Sequence, residues 1–186
     1  MSQSTRNNSA NHSRKKPGDF SPLTPNLAFQ LAAPHTWAAA IMPVLFSYVY
    51  CAISYSGKLN ILLAFMLLAI CILMQSAVNV LNDYFDFKKG TDSAENSSDD
   101  AFDAVLVYNN LNPKSVSGLA IGFLAVAAAM GLYLVYLTSW ILLVIGLLGA
   151  LIVFLYSGGK TPISYLPIGE LVSGFVMGGL IPLACC

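Results

Sequence analysis

Three long stretches of this 186-residue chain, 36–57, 59–82 and 115–159, contain no Asp, Glu, Lys or Arg. A hydrocarbon core about 30 Å thick takes ~20 apolar residues in a helix rising ~1.5 Å per residue, so runs of this length read as membrane spans. Spans are expected at 36–55, 59–81, 116–137, 140–156 and 167–186, the last still apolar at Cys186. The apolar runs are continuous rather than alternating, which selects helices over the strands of a lipid-embedded barrel. The expected fold is therefore all-α, a polytopic transmembrane helix bundle with about five spans.

The remaining residues are as uneven as the apolar ones. Only 10% of the chain is charged and the net charge is zero, so no surplus of Lys and Arg exists to displace counterions from a nucleic acid. Nucleic acid is excluded as a partner, and membrane lipid is the expected surroundings. Basic residues set the orientation: only Lys58 falls in the turns after the first and third spans, whereas Arg6, Arg14, Lys15, Lys16, Lys88, Lys89, Lys114 and Lys160 fall in the tail and the other loops. By the positive-inside rule the amino terminus and those loops are expected in the cytoplasm of a bacterial-type cell. Residues 1–25 are polar, rich in Ser, Asn and Pro, and are expected to form a disordered tail ahead of a single domain over 26–186.

Cys51, Cys71, Cys185 and Cys186 have no CxxC spacing and no paired His, so they are expected as small apolar residues rather than disulfide or zinc ligands. Gly118/Gly122 and Gly174/Gly178 are GxxxG pairs expected to let helices approach closely.

One acidic island interrupts this pattern. Seven of the nine acidic residues, Asp83, Asp86, Asp92, Glu95, Asp99, Asp100 and Asp103, lie together directly after the second span. If that helix runs to about Lys89 and stops at Gly90, then Asn79, Asn82 or Asp83, and Asp86 stack on one face. Asp92 can then fold back beyond the glycine. Carboxylates at a helix C-terminus add to the negative end of its dipole, and a cation is the natural remedy. Clustered carboxylates with an amide oxygen are hard ligands that suit magnesium, which often shares its shell with substrate phosphates. Glu95, Asp99, Asp100 and Asp103 read instead as a solvated loop, and Asp83 stands between the two readings.

Asn82, Asp86 and Asp92 together resemble the first Asp-rich motif of the UbiA superfamily of intramembrane aromatic prenyltransferases, N-x-x-x-D with a further Asp downstream. The spacing in Asp-Phe-Lys-Lys-Gly-Thr-Asp is similar to the menaquinone branch. Pro34-His35-Thr36-Trp37 with Ile41-Met42-Pro43-Val44-Leu45 is similar to that branch's first helix, and Tyr156-Ser157-Gly158-Gly159-Lys160 through Pro162, Tyr165 and Gly169-Glu170 to its loop after the fourth. Ala33 departs from the resemblance, since many members carry Arg there.

The resemblance implies a reaction. A polyprenyl diphosphate is held through magnesium at the cytoplasmic mouth of a helical cavity, and its diphosphate leaves. The allylic cation so formed is captured by an aromatic acceptor, 1,4-dihydroxy-2-naphthoate, with loss of carbon dioxide. Asn82, Asp86 and Asp92 would hold the metal, and Lys160 and Lys89 would face the diphosphate. Tyr156 would face the developing cation or position the acceptor. The plainer reading of Tyr156 is an interface-belt residue, and of Lys160 a positive-inside anchor. The family has about nine helices and a second Asp-rich motif, so this chain is expected to be the amino-terminal part of such an enzyme and inactive alone.

Two rivals frame that reading. Gly158-Gly159-Lys160-Thr161 evokes a phosphate-binding loop, but Phe154 stands where GxxxxGK[ST] needs its first glycine. A non-catalytic or transporter-like membrane protein with a cation-binding acidic loop is the other alternative. It would want an ionisable residue in mid-span, and the first four spans have none.

Overall fold

The computed structural model describes residues 20–54, 60–90, 104–158 and 161–185. The described residues form helices α1 (Pro25–Leu31), α2 (Ala38–Ser54), α3 (Ile61–Lys89), α4 (Val105–Tyr108), α5 (Pro113–Leu137), α6 (Trp140–Ser157), α7 (Gly169–Phe175) and α8 (Ile181–Cys185). No named strand occurs among them. One isolated bridge joins Ser21 to Leu111, and the Ser21 N–H donates to Asn110 O at 2.9 Å. Residues 1–19 of the expected tail lie outside the described residues, while its last part is docked and helical from Pro25.

Local sequence explains where the helices begin and end. Asn60 caps α3 by accepting from the Leu62 and Leu63 N–H groups, Asn112 caps α5 through Lys114 N–H with Pro113 next in line, and Ser139 caps α6 through Ile141 N–H. At the far end of α3, Gly90 adopts φ 75° and donates its N–H to the Asp86 and Phe87 carbonyls. That left-handed conformation is easy for glycine alone. Gly90→Ala is expected to lower stability by about 1 kcal/mol, read as a fall in thermal midpoint in detergent. A Cβ there meets nothing within 4 Å, so backbone strain is the whole of the effect.

α3, α5 and α6 are each long and apolar enough to cross a membrane. Residues 25–36 and α2, bent by 55°, pass the same length and composition test only when taken together. The bend falls between Thr36 and Ala38, and just before it Ala33 is held at φ 48° ahead of Pro34. The fifth expected span, 167–186, is a shorter, broken element over Gly169–Cys185. Its break is a π-turn at Val176–Leu180. Pro182 explains that turn: it lacks an N–H and its ring presses on the carbonyl four residues back, so the preceding turn widens.

α3 and α5 form the central pair, with α2 and α6 packed on α3. Ala77, Ala120 and Ala127 are buried along this pair, where small side chains let backbones approach. The glycine pairs do not serve that purpose: a Cβ added at Gly118, Gly122, Gly174 or Gly178 meets nothing within 4 Å. Two apolar clusters result. Leu67, Ile70, Ala127 and Leu134 make one; Leu31, Val80, Leu81, Leu106, Leu111 and Val116 belong to the other, at the end where α1, α3, α4 and α5 meet. Elsewhere large apolar side chains point outward, Tyr136 at 84% and Ile53 at 81% exposure. Such a surface is stable only against lipid or further apolar protein.

The cysteine expectation is corrected in part. Cys51 is disulfide-bonded, while Cys71 and Cys185 are free thiols. α8 lies against α2, which brings sequence-distant cysteines into one neighbourhood that spacing alone does not reveal.

Candidate functional site

α3 has 29 residues and is therefore about 43 Å long. That exceeds the ~30 Å hydrocarbon thickness, and the polar residues of the helix are gathered in its last turns. Those turns carry Asn79, Asn82, Asp83, Asp86 and Lys89.

This face opens onto a polar cavity of about 240 Å³. Asn79, Asn82 and Asp86 line it from α3, and His35, Thr36 and Ala33 line it from the bend before α2. Asn82 and Asp86 are thus brought together as expected, one turn apart on one wall. Asp92 and Lys160 lie outside the described residues. Among the described residues no group of three or more His, Cys, Asp and Glu is gathered for a metal.

The bend is held to α3 by a dense polar bracket. The Asn79 carboxamide donates to Ala32 O at 3.0 Å and to Thr36 Oγ1 at 2.8 Å. Trp37 Nε1 donates to the same Ala32 carbonyl at 3.2 Å and to Ser76 Oγ at 3.0 Å. Thr36 Oγ1 in turn donates to Ala33 O at 2.9 Å. Asn79 is therefore structural, and so is Trp37, which also meets Phe29 edge to face at 5.7 Å. His35 stays exposed on the cavity rim.

Asp83 resolves in favour of structure. It is 7% exposed, and its Oδ2 accepts the Leu106 N–H at 3.3 Å in the first turn of α4. A carboxylate suits that helix end. Asp83→Ala is expected to lower stability by about 1–3 kcal/mol by stranding the buried amide, measured by thermal unfolding, with magnesium binding unchanged in the folded fraction.

Asp86 has a partner that the sequence alone does not suggest. The Tyr165 hydroxyl, from the connection between α6 and α7, donates to Asp86 Oδ1. Lys89 Nζ lies 4.7 Å above the Tyr165 ring and 5.9 Å from the Phe85 ring, a cation held beside the carboxylate by two aromatic faces. Gly158 closes the end of α6, where a Cβ would sit 2.6 Å from Phe154 O, and the Phe85 ring lies in contact distance, 3.5 Å from that Cβ position. The α6 end thus packs directly on the last turns of α3.

Tyr156 stands apart from the polar cavity. It is half-buried in the wall of a second, half-open cavity of about 630 Å³, almost wholly apolar, lined by residues such as Met74, Ala127, Gly146, Val153 and Met177. The site thus has two compartments along α3: an oxygen-rich one at its end, and an apolar chamber further down the bundle. Such a pairing can hold a charged head and an apolar tail of one ligand.

The chain matches the UbiA prenyltransferase family over residues 40–186. It is 37% identical over 176 residues to a 1,4-dihydroxy-2-naphthoate octaprenyltransferase of Bacillus subtilis, covering 93% of this chain and 55% of that protein. It is 33% identical over 147 residues to a protein of the same name from Mycobacterium tuberculosis, covering 75% and 46% respectively. The chain therefore spans about half the length of the curated relatives it matches. No solved structure matches it.

Proposed function

Because the chain belongs to the UbiA prenyltransferase family, we propose that it carries the donor end of an intramembrane transferase that moves a polyprenyl group from its diphosphate to 1,4-dihydroxy-2-naphthoate, in the manner of menaquinone biosynthesis. The observation that carries this reading is the pairing of the Asn82–Asp86 wall with the 630 Å³ apolar chamber along the same helix. The first suits a diphosphate and the second a prenyl chain.

The donor set fits a hard divalent cation. Asn82 and Asp86 offer oxygen on one cavity wall, Asp92 follows two residues after the Gly90 turn, and magnesium favours such ligands beside substrate phosphates. Bound there, magnesium would neutralise the departing diphosphate. Lys89 adds positive charge to the same end, and Lys160 is proposed as a further counter-charge to the diphosphate. Tyr165 fixes the Asp86 carboxylate by its hydrogen bond, so the oxygen facing the cavity is oriented before the donor arrives.

The transfer then asks for separation of charge in a dry place. The bond between prenyl C1 and the diphosphate oxygen breaks, the electron pair leaving with oxygen. The ring carbon that bears the carboxylate attacks C1, and that carboxylate departs as carbon dioxide, its bonding pair returning to the ring to restore aromaticity. The apolar chamber excludes the water that would otherwise capture the cation, and the Tyr156 ring face stabilises positive charge within it. The amino terminus and the acidic loop are read as cytoplasmic, where a soluble acceptor arrives.

The test uses two forms. The full chain in lipid nanodiscs is expected to bind a non-hydrolysable prenyl thiolodiphosphate only with magnesium. A chimera in which this chain replaces the matching 176 residues of the Bacillus subtilis relative is expected to form prenylated naphthoquinol. A folded chimera that lacks turnover, with no magnesium-dependent binding by the chain, would overturn the reading.

A further inference from the structure

The apolar chamber contains one group that its chemistry does not call for. Among the described residues Gln75 is the one carboxamide in its wall, and a polar side chain at mid-bundle depth in a membrane helix is costly unless it is used. Its fold role is slight. Gln75 Nε2 donates to Thr36 Oγ1 at 3.4 Å, yet Thr36 is already tied by Asn79 at 2.8 Å and by its own bond to Ala33 O at 2.9 Å. The bend would hold without Gln75.

That bond does something else: it aims the amide. With Nε2 bonded to Thr36, the carboxamide carbonyl is left over as an acceptor on a residue that lines the chamber, and no hydrogen bond to it occurs among the described residues. Gln75, Asn79, Asn82 and Asp86 follow one another along a single face of α3, Gln75 lying roughly 16 Å before Asp86 along the axis. Asn79 and Thr36 line the polar cavity while Gln75 lines the apolar one, so the bracket is the seam between the two compartments.

An aromatic acceptor must meet prenyl C1 at that seam, with its ring against apolar walls and its hydroxyls needing partners. We infer that Gln75 is a specificity-determining residue for the acceptor, its carbonyl accepting a hydrogen bond from a ring hydroxyl at the junction of the two cavities. This rests on the prenyltransferase reading above. It deepens that reading by making the hydroxyl, rather than the carboxylate, the feature recognised on α3. An apolar pocket discriminates poorly against a missing hydroxyl, whereas a buried amide left unpaired penalises it.

The test measures affinities of the full chain in nanodiscs for 1,4-dihydroxy-2-naphthoate and for 1-hydroxy- and 4-hydroxy-2-naphthoate, each lacking one hydroxyl. The wild-type chain is expected to bind one of the two mono-hydroxy compounds roughly tenfold more weakly. Gln75→Leu is expected to bind that compound and the dihydroxy acid equally, with the thiolodiphosphate affinity unchanged. Gln75→Asn, which keeps the amide but withdraws it by one methylene, is expected to lose the same discrimination. If Gln75→Leu keeps the wild-type preference, or if the wild-type chain has none, the inference fails while the prenyltransferase reading stands. If the wild-type chain binds none of the three acids and no thiolodiphosphate, both fall.

Discussion

Asp86→Asn is expected to lower prenyl transfer by about 100- to 1000-fold, the scale on which losing one preorganised electrostatic contact slows a reaction that develops charge. The substitution is nearly isosteric, and Tyr165 can still donate to the amide oxygen that replaces Oδ1. Folding is therefore expected to survive. What changes is the charge at the mouth of the polar cavity: a neutral amide beside Lys89 no longer offers a carboxylate to a divalent cation. The chimera with the Bacillus subtilis relative gives the rate, and the chain in nanodiscs gives the magnesium dependence of thiolodiphosphate binding, which is expected to disappear. A variant with near wild-type rate and magnesium dependence would remove Asp86 from the site.

Leu106→Ala is expected to have the largest effect on stability, about 2–5 kcal/mol. Leu106 is 1% exposed and sits among Leu31, Val80, Leu81, Leu111 and Val116, so truncation leaves a void bounded by four helices. The cluster lies at the bundle end, where lipid cannot refill it. Its backbone N–H is also the partner of Asp83, and loosening α4 frees that buried carboxylate as well. Thermal unfolding in detergent measures the loss, and a midpoint shift no larger than that of Gly90→Ala would contradict the packing account. Asp86→Asn and Asp83→Ala together separate the proposed chemistry from the scaffold within one short stretch of α3: Asp86 is the proposed ligand-binding group, while Asp83 three residues earlier holds α4.

That distinction was half legible in the sequence. The helix stop at Gly90 and the shared face of Asn82 and Asp86 followed from a glycine signal and a 3.6-residue period, both local properties. Asp83 could not be resolved locally, because its burial depends on α4, 23 residues away. Tyr165 belongs to a loop pattern in the sequence, but its contact with Asp86 spans 79 residues and leaves no local signal. The glycine pairs misled for a related reason: GxxxG states that a close approach is permitted, while the side on which the neighbouring helix packs is decided by the whole bundle. Gln75 carried a visible signal, a polar residue inside an apolar run. Its meaning needed the cavity it borders.

α3 runs without interruption from Ile61 to Lys89, so the depth of the apolar chamber and the height of Asp86 are fixed on one rigid rod. Hydrophobic mismatch then acts on the site directly. In a bilayer of longer acyl chains a rod of fixed length stands more upright or draws its ends inward, and in a thinner one it tilts. Either adjustment moves the Asn82–Asp86 wall relative to the headgroup layer in which a diphosphate travels. On the proposed reading, acyl-chain length in the host membrane thereby becomes a setting on donor capture, transmitted through the helix.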